Sequence, residues 1–120
     1  SIALVCPDPV KKKAVMDKLK ELMPEAYITT SGGDLIEIMH CNATKSSGLK
    51  RLCGIIGIQT SETAAFGNGD NDADMLSLAG KGFAMADGSE MCRNAADHII
   101  PCCDEDGTAI GIDMILKGEY

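Results

Sequence analysis

Residues 65–76 hold the side chains best suited to chemistry in this chain of 120 residues. Three carboxylates, Asp70, Asp72 and Asp74, stand at alternate positions of the segment, and two asparagines accompany them. A loop with this much negative charge repels itself unless a cation lies in it, and magnesium and calcium prefer oxygen ligands of this kind. The segment therefore predicts a site for a hard divalent cation.

The elements around this segment would place it at the edge of a sheet. The apolar run 63–66 is predicted to be a buried strand, and Gly67 and Gly69 permit the backbone angles that a tight turn requires. Asn71 or Asp72 is predicted to cap the helix that follows. Because ligands of open α/β sheets bind at the carboxyl ends of strands, this loop is the expected position of a site.

Two structural interpretations compete with a catalytic one. An EF-hand loop would begin at Asp70, Asp72 and Asp74, but it needs Gly at its sixth position and Glu at its twelfth, where this chain has Met75 and Lys81. Alternatively, the loop is a solvated turn whose carboxylates stabilise the amino end of the next helix.

A third interpretation rests on a resemblance. Residues 66–76 read Phe-Gly-Asn-Gly-Asp-Asn-Asp-Ala-Asp-Met-Leu and resemble the fourth motif of the haloacid-dehalogenase-like (HAD) phosphohydrolases of the Cof-type subgroup, Phe-Gly-Asp-Gly-x-Asn-Asp-x-x-Met-Leu. The first Asp of that motif falls on Asn68. Residues 44–49 resemble the third motif, Ser/Thr-Lys-Gly-x-Ala-Leu, with its lysine at Lys45 and two departures from the pattern. Asp87, further along, stands where the family commonly has Asn.

The resemblance implies a role for each of these residues. Enzymes of this family hydrolyse phosphate monoesters through an aspartyl-phosphate and use Mg2+. Lys45 would be catalytic and bind the substrate phosphate, and Asn71 would donate its amide to a phosphoryl oxygen. Asn68 and Asp72 would face the metal, and Asp72, also counted as catalytic, could instead hold Lys45 by an ion pair.

The nucleophilic Asp of the family lies in an Asp-x-Asp motif after the first strand of the core, and no such motif follows a long apolar strand here. The resemblance therefore implies the C-terminal half of a phosphatase for small phosphate monoesters, such as sugar phosphates. The chain alone is predicted to be inactive, and a missing N-terminal half or an oligomeric partner would complete it. The start at Ser1 also suggests a processed or truncated chain.

The predicted fold class is α/β. The resemblance implies the C-terminal part of a Rossmann-like, three-layer α/β/α HAD core with a parallel sheet in residues 39–120, preceded by the last piece of an α+β cap domain in residues 1–38. Strands are predicted at 2–5, 27–30, 35–40, 63–66, 80–86 and 98–101. Helical spacing predicts two buried stripes, one formed by Val15, Leu19, Leu22 and Met23 and the other by Leu49, Leu52, Cys53 and Ile56.

Composition limits the partners. The net charge of −7 argues against a nucleic-acid surface, and no apolar run is long enough to cross a membrane. The six cysteines lack a zinc spacing and are interpreted as reduced thiols of a cytoplasmic protein. The resemblance, rather than composition, implies a small phosphorylated metabolite as the ligand.

Two other functions remain open at this level. Within the superfamily, the phosphorylation domain of a P-type ATPase shares the Gly-Asp-Gly-x-Asn-Asp pattern, although the tail of this chain favours the Cof-type subgroup. Outside enzymes, the chain would be a non-catalytic remnant that binds a divalent cation, or a subunit that works only with its partner.

Overall fold

A computed structural model describes all residues of the chain, 1–120. Six strands form two separate three-stranded sheets, and five α-helices pack around them. The strands are β1 Ile2–Val5, β2 Ala26–Thr29, β3 Leu35–His40, β4 Ala64–Gly67, β5 Lys81–Met85 and β6 His98–Ile100. The helices are α1 Pro9–Leu22, α2 Lys45–Ile56, α3 Ala73–Leu78, α4 Glu90–Ala95 and α5 Gly107–Lys117.

The first sheet is antiparallel, with the order β1-β3-β2. Helix α1 begins where the sequence predicts, because Asp8 accepts hydrogen bonds from the amides of Val10 and Lys11 at 3.0 and 3.1 Å and Pro9 occupies the first helical position. Only three residues of this part are fully buried, namely Ile28, Thr29 and Ile36. The first sheet therefore has a small core.

The buried stripe predicted for α1 is only partly right, because Leu19 and Met23 are half-buried and the other two residues are exposed. Val15 and Leu22 are 37% and 64% exposed, and no residue of the helix is fully buried. Lys12 also faces the first sheet, because its Nζ donates to Thr30 Oγ1 and to the carbonyl of Gly33 between β2 and β3, each at 2.7 Å. The aliphatic stem of a lysine can cover apolar surface, so a stripe that was predicted from apolar residues alone left out Lys12.

The stripe predicted for α2 is also only partly right, and its first residue, Leu49, is half-buried. Cys53 is buried, but Leu52 and Ile56 are 53% and 57% exposed. Helix α2 contacts mainly α3, so it has too few neighbours within this chain to cover its apolar residues. The helix itself ends as predicted, at Gly57 in the left-handed conformation with φ 77°.

The second sheet is parallel, with the order β4-β5-β6. Ala65, Leu76, Ala84 and Cys92 form a cluster on its α3 and α4 side. Phe83, Met85 and Ile100 form a second cluster, against Met114 and Ile115 of α5. Helices thus cover both faces, as parallel sheets require, and the predicted α/β class with its parallel sheet is confirmed. Strand ends differ from the predicted ones by one or two residues.

The two sheets are joined by a short connection. Strand β3 continues to His40, past the predicted domain boundary at residue 38, and α2 begins at Lys45. No helix in the chain has the length and apolar composition that a membrane crossing requires.

Candidate functional site

Lys45 is the first residue of α2, and its position is fixed by a capping box. The side chain of Thr44 accepts a hydrogen bond from the amide of Ser47 at 3.2 Å, and Ser47 Oγ accepts one from the amide of Thr44 at 3.0 Å. This reciprocal pair holds the first turn of the helix. The backbone that carries the Lys45 side chain is therefore held in place, at the amino end of a 12-residue helix.

The loop after β4 is organised by Asp72, which is 3% exposed. Its Oδ2 accepts hydrogen bonds from the amides of Asn68 and Gly69, at 2.9 and 3.0 Å. A Cβ at Gly67 would lie 2.4 Å from the Cβ of Asp72, so only glycine allows this approach. The predicted helix cap is thus corrected: Asp72 stabilises the preceding turn, and its side chain makes no capping hydrogen bond to α3.

Lys45 and Asp72 form an ion pair across the sequence, with Lys45 Nζ donating to Asp72 Oδ1. The Asp72 side chain is 5% exposed and that of Lys45 is 48% exposed. Burial by itself raises the pKa of Asp72, but the hydrogen bonds from Lys45 and from the amides of Gly69 and Asn68 outweigh it, and the pKa is lowered. Asp72 is consequently ionised at neutral pH and holds Lys45 in place.

The ion pair faces a cavity of about 340 Å³. Polar and apolar residues from α2, the carboxyl ends of β4 and β5, and the start of α5 line it: Lys45, Phe66, Gly67, Asn68, Asp72, Met85, Asp87, Cys103 and Thr108. Three of the predicted site residues are therefore brought together. The fourth, Asn71, does not line this cavity; its Oδ1 lies against Gly69, 2.8 Å from where a Cβ would be. Its role stays a prediction.

The three aspartates of the loop do not share one cavity. Asp72 faces Lys45, whereas Asp70 and Asp74 both line another cavity with Tyr27 of β2. Burial, followed by the charges of Asp74, Asp70 and Asp72, raises the pKa of Tyr27 despite a hydrogen bond with Thr29. Asp74 Oδ2 accepts a hydrogen bond from Ser46 Oγ at 2.6 Å. The carboxylates do not converge on one point, so the structure does not support the EF-hand interpretation.

Sequence reasoning missed two polar residues here. Ser46 was read only as a departure from a motif, yet it joins α2 to α3 through Asp74. Asp87 was left without a role, yet it lines the cavity with Lys45. A carboxylate directly after a buried strand was the available signal for Asp87.

The donor set fits a hard cation that is held by few protein ligands. Asn68, Asp72 and Asp87 offer oxygen atoms around one cavity, although no group of three His, Cys, Asp or Glu side chains is arranged to hold a metal ion by itself. Magnesium commonly binds through one or two carboxylates and keeps several waters for substrate oxygens to replace. The residues present are compatible with that mode.

Similarity to known proteins extends over nearly the whole chain. The family model described as haloacid dehalogenase-like hydrolase matches residues 1–112. The 5-amino-6-(5-phospho-D-ribitylamino)uracil phosphatase of Bacillus subtilis (strain 168) is 33% identical over 111 residues, which are 88% of this chain and 39% of that protein.

Two solved structures give the same result. A haloacid dehalogenase-like hydrolase from B. subtilis superposes with a TM-score of 0.81 and 32% identity, over 89% of this chain and 37% of that one. A HAD subclass IIB sugar phosphatase superposes with a TM-score of 0.78 and 29% identity, over 90% and 41%. The chain spans about two fifths of the length of these relatives. The predicted resemblance is confirmed, and the chain belongs to the haloacid dehalogenase-like hydrolase family.

Proposed function

We propose that this chain supplies the phosphate-binding and charge-stabilising part of a magnesium-dependent phosphatase for small phosphate monoesters. The observation that carries the proposal is the ion pair of Lys45 with the buried Asp72 at the cavity beyond β4. Two of the relatives are a phosphatase of a phosphorylated ribitylamino compound and a sugar phosphatase. Sugar phosphates or similar metabolites are thus the proposed substrate class.

Lys45 is the residue that would bind the phosphoryl group. Its ammonium is half-exposed, so two of its three hydrogens remain for other acceptors when the third is donated to Asp72. Phosphoryl transfer depends on positioning and on neutralising charge, which a fixed cation provides. Asp72 acts as the positioning residue because it holds Nζ beside the cavity and stays ionised.

Asn68 and Asp72 are the residues that we propose to hold magnesium, and Asn71 would donate its amide to a phosphoryl oxygen. Asp72 has little room for a metal ion as well, since its two oxygens already accept hydrogen bonds from Lys45, Asn68 and Gly69. Magnesium, when bound, would offset negative charge on the phosphoryl oxygens. The protein then needs only oxygen donors at the carboxyl edge of the sheet, where Asn68 and Asp72 lie in the loop after β4.

The nucleophile is the part that this chain does not provide. No aspartate lines the Lys45 cavity apart from Asp72, which is paired, and Asp87. We propose that an aspartate outside these 120 residues is phosphorylated, in a missing N-terminal half of the core or in an oligomeric partner, and that residues 1–38 belong to a cap over the site. The cytoplasm, where phosphorylated metabolites are made and used, is the proposed location.

The engagement of Asp72 also supports a second candidate, a non-catalytic remnant or partner-dependent subunit. An ion pair that is complete within the chain is compatible with a purely structural role. The two candidates differ in one result, namely whether restoring the nucleophile produces turnover that depends on Lys45.

The test compares the chain alone with a joined chain, in which the N-terminal portion of the B. subtilis phosphatase precedes it. The 120-residue chain is expected to leave p-nitrophenyl phosphate unhydrolysed, because it lacks the proposed nucleophile. Uncatalysed monoester hydrolysis is so slow that enzymes accelerate it by up to ~10²¹-fold. The joined chain is expected to hydrolyse it in the presence of magnesium.

Lys45→Ala should lower kcat of the joined chain by about 10²- to 10³-fold, the usual effect of removing one electrostatic donor. Lys50→Ala is the matched control, because Lys50 lies on the same helix, is exposed and takes part in none of the chain's ion pairs. Hydrolysis by the 120-residue chain that Lys45→Ala leaves unchanged would refute the proposal. Equal hydrolysis by the joined chain with and without magnesium would contradict the proposed magnesium dependence.

A further inference from the structure

Two side-chain hydrogen bonds join the first turn of α2 to the segment after β4. Lys45 Nζ donates to Asp72 Oδ1, and Ser46 Oγ donates to Asp74 Oδ2 at 2.6 Å. The two donors are neighbours in the chain, and the two acceptors are separated by one residue. Because the helix is attached at two adjacent points, its rotation against α3 is more restricted than one flexible lysine alone would allow.

The apolar face of α2 does little to fix the helix. Cys53 is its only buried residue, and Leu52, Ile55 and Ile56 are exposed. Burial of apolar surface is the main favourable contribution to packing, and most of this helix buries little within the chain. The orientation of α2 therefore depends to a large degree on the polar contacts of its first turn.

The hydroxyl of Ser46 is held on two sides. Its Oγ lies 2.9 Å from Thr44 Oγ1, the N-cap side chain of α2, as well as 2.6 Å from Asp74 Oδ2. Because Ser46 gives its one hydrogen to the carboxylate, it accepts from Thr44. The third-motif pattern has glycine at position 46, and glycine offers no hydroxyl. The contact is therefore particular to this chain.

Asp74 has no other hydrogen-bond partner. Its Oδ2 accepts from Ser46, whereas its Oδ1 is buried and unpaired. A buried polar atom without a partner costs free energy, and in a native structure it calls for an explanation. Since the bond to Ser46 is the one that Asp74 makes, the attachment of α2 is what this costly placement of a carboxylate supports.

We propose that Ser46 and Asp74 are positioning residues for Lys45. The bond between them holds the first turn of α2, so that the ammonium of Lys45 stays beside Asp72 and the cavity. The ion pair alone is a weaker restraint, because the Lys45 side chain is 48% exposed and a lysine stem is flexible. The inference rests on the phosphatase proposed above and adds the contact that fixes its phosphate-binding lysine.

Nuclear magnetic resonance of the 120-residue chain tests the proposal without any turnover, with the mobility of each lysine ammonium followed by Nζ relaxation. Ser46→Ala removes the hydroxyl and should lower the order parameter of the Lys45 ammonium by about a third or more, the difference between a rigid and a flexible group. Ser46→Thr keeps a hydroxyl and should leave the order parameter near that of the unchanged chain.

A double-mutant cycle shows whether the two residues act as one contact. Asp74→Ala should lower the Lys45 order parameter as Ser46→Ala does, because either change removes the same hydrogen bond. The two changes together should lower it no further than one of them alone, since residues in one hydrogen-bonded pair are not additive.

Ser77→Ala is the matched control, because Ser77 is an exposed serine of α3 whose hydrogen bond goes to the carbonyl of Ala95. It should leave the Lys45 order parameter unchanged, and exposed Lys50 of α2 is the reference within every sample. Urea unfolding shows that each variant is folded. The proposal is overturned if Ser46→Ala lowers stability but leaves the Lys45 order parameter unchanged, or if Ser77→Ala lowers that order parameter equally.

Kinetics of the joined chain separate this inference from the proposed function. Ser46→Ala should lower kcat about tenfold and change KM by less than about threefold, because the charge of Lys45 is kept and only its position is loosened. If the joined chain is inactive while Lys45 mobility depends on Ser46, the positioning role stands and the phosphatase proposal falls. If the joined chain is active and Lys45 mobility is indifferent to Ser46, the function stands and the positioning role falls.

Discussion

The carboxylate of Asp72 gathers donors from two distant parts of the chain. The amides of Asn68 and Gly69 bind one oxygen, and Lys45, 27 residues earlier, binds the other. A buried charge is tolerated only when it is paired and hydrogen-bonded, and both conditions hold here. The residue therefore links the start of α2 to the loop after β4 and defines the geometry of the site.

The pH dependence of stability should report this environment. Because the folded-state pKa of Asp72 lies below the ordinary carboxyl value of 3.8, its contribution to stability is present above that pH and is lost as the pH falls through the folded pKa. Asp72→Asn should cost about 1–3 kcal/mol at neutral pH, because the amide cannot replace the charge. The difference from the unchanged chain should shrink below about pH 4, as measured by urea unfolding at several pH values.

Asp17→Asn, at an exposed position of α1, is the control and should change the free energy of unfolding little. A difference between Asp72→Asn and the unchanged chain that stays constant down to about pH 2 would show that the ionised carboxylate adds nothing to the folded state.

At the scale of elements, the turn between β4 and α3 depends on a close approach of the backbone at Gly67. Gly67→Ala would place a methyl group 2.4 Å from the Cβ of Asp72, so the loop has to shift. We expect a loss of about 1–3 kcal/mol, the usual cost of overpacking. Urea unfolding measures the loss.

Gly54→Ala is the matched control within α2. No atom lies within 4 Å of a Cβ at this position, and its backbone is helical. Alanine in a helix interior stabilises by roughly 0.5–1 kcal/mol relative to glycine. Equal effects at the two positions would mean that the approach of Gly67 to Asp72 places no demand on the fold.

At the scale of the whole molecule, the two sheets differ in how well they are buried. The parallel sheet has buried residues on both faces, among them Phe83, Ala84 and Ile100, whereas the antiparallel sheet buries only Ile28, Thr29 and Ile36. Local opening is governed by such buried contacts. The first sheet is consequently expected to be the less stable part.

Hydrogen exchange followed by mass spectrometry tests this expectation. Amides of β5 should exchange at least about tenfold more slowly than those of β2, because opening the parallel sheet exposes more apolar surface. Both strands make ladder hydrogen bonds, so hydrogen bonding alone does not produce the difference. Equal protection of the two strands would show that the sheets open as one cooperative unit.

The sequence by itself determined the local chemistry and the order of elements. Glycines, caps and alternating apolar runs are local signals, so the strands, the cap at Asp8 and the carboxyl end of α2 at Gly57 were predicted within one or two residues. The motifs around Lys45 and Asn68 also identified the family, because their residue types stand at fixed spacings along the chain.

Only the tertiary structure decided which of these residues meet. The direction of a side chain depends on elements that are far away in the sequence, and for this reason Asp70, Asp72 and Asp74 lie in one motif but face Tyr27, Lys45 and Ser46. Burial depends in the same way on neighbours, so half of the residues in the stripes predicted for α1 and α2 are exposed. Asp87 joined the site because parallel strands bring their carboxyl ends to one edge, a relation that no spacing along the chain expresses.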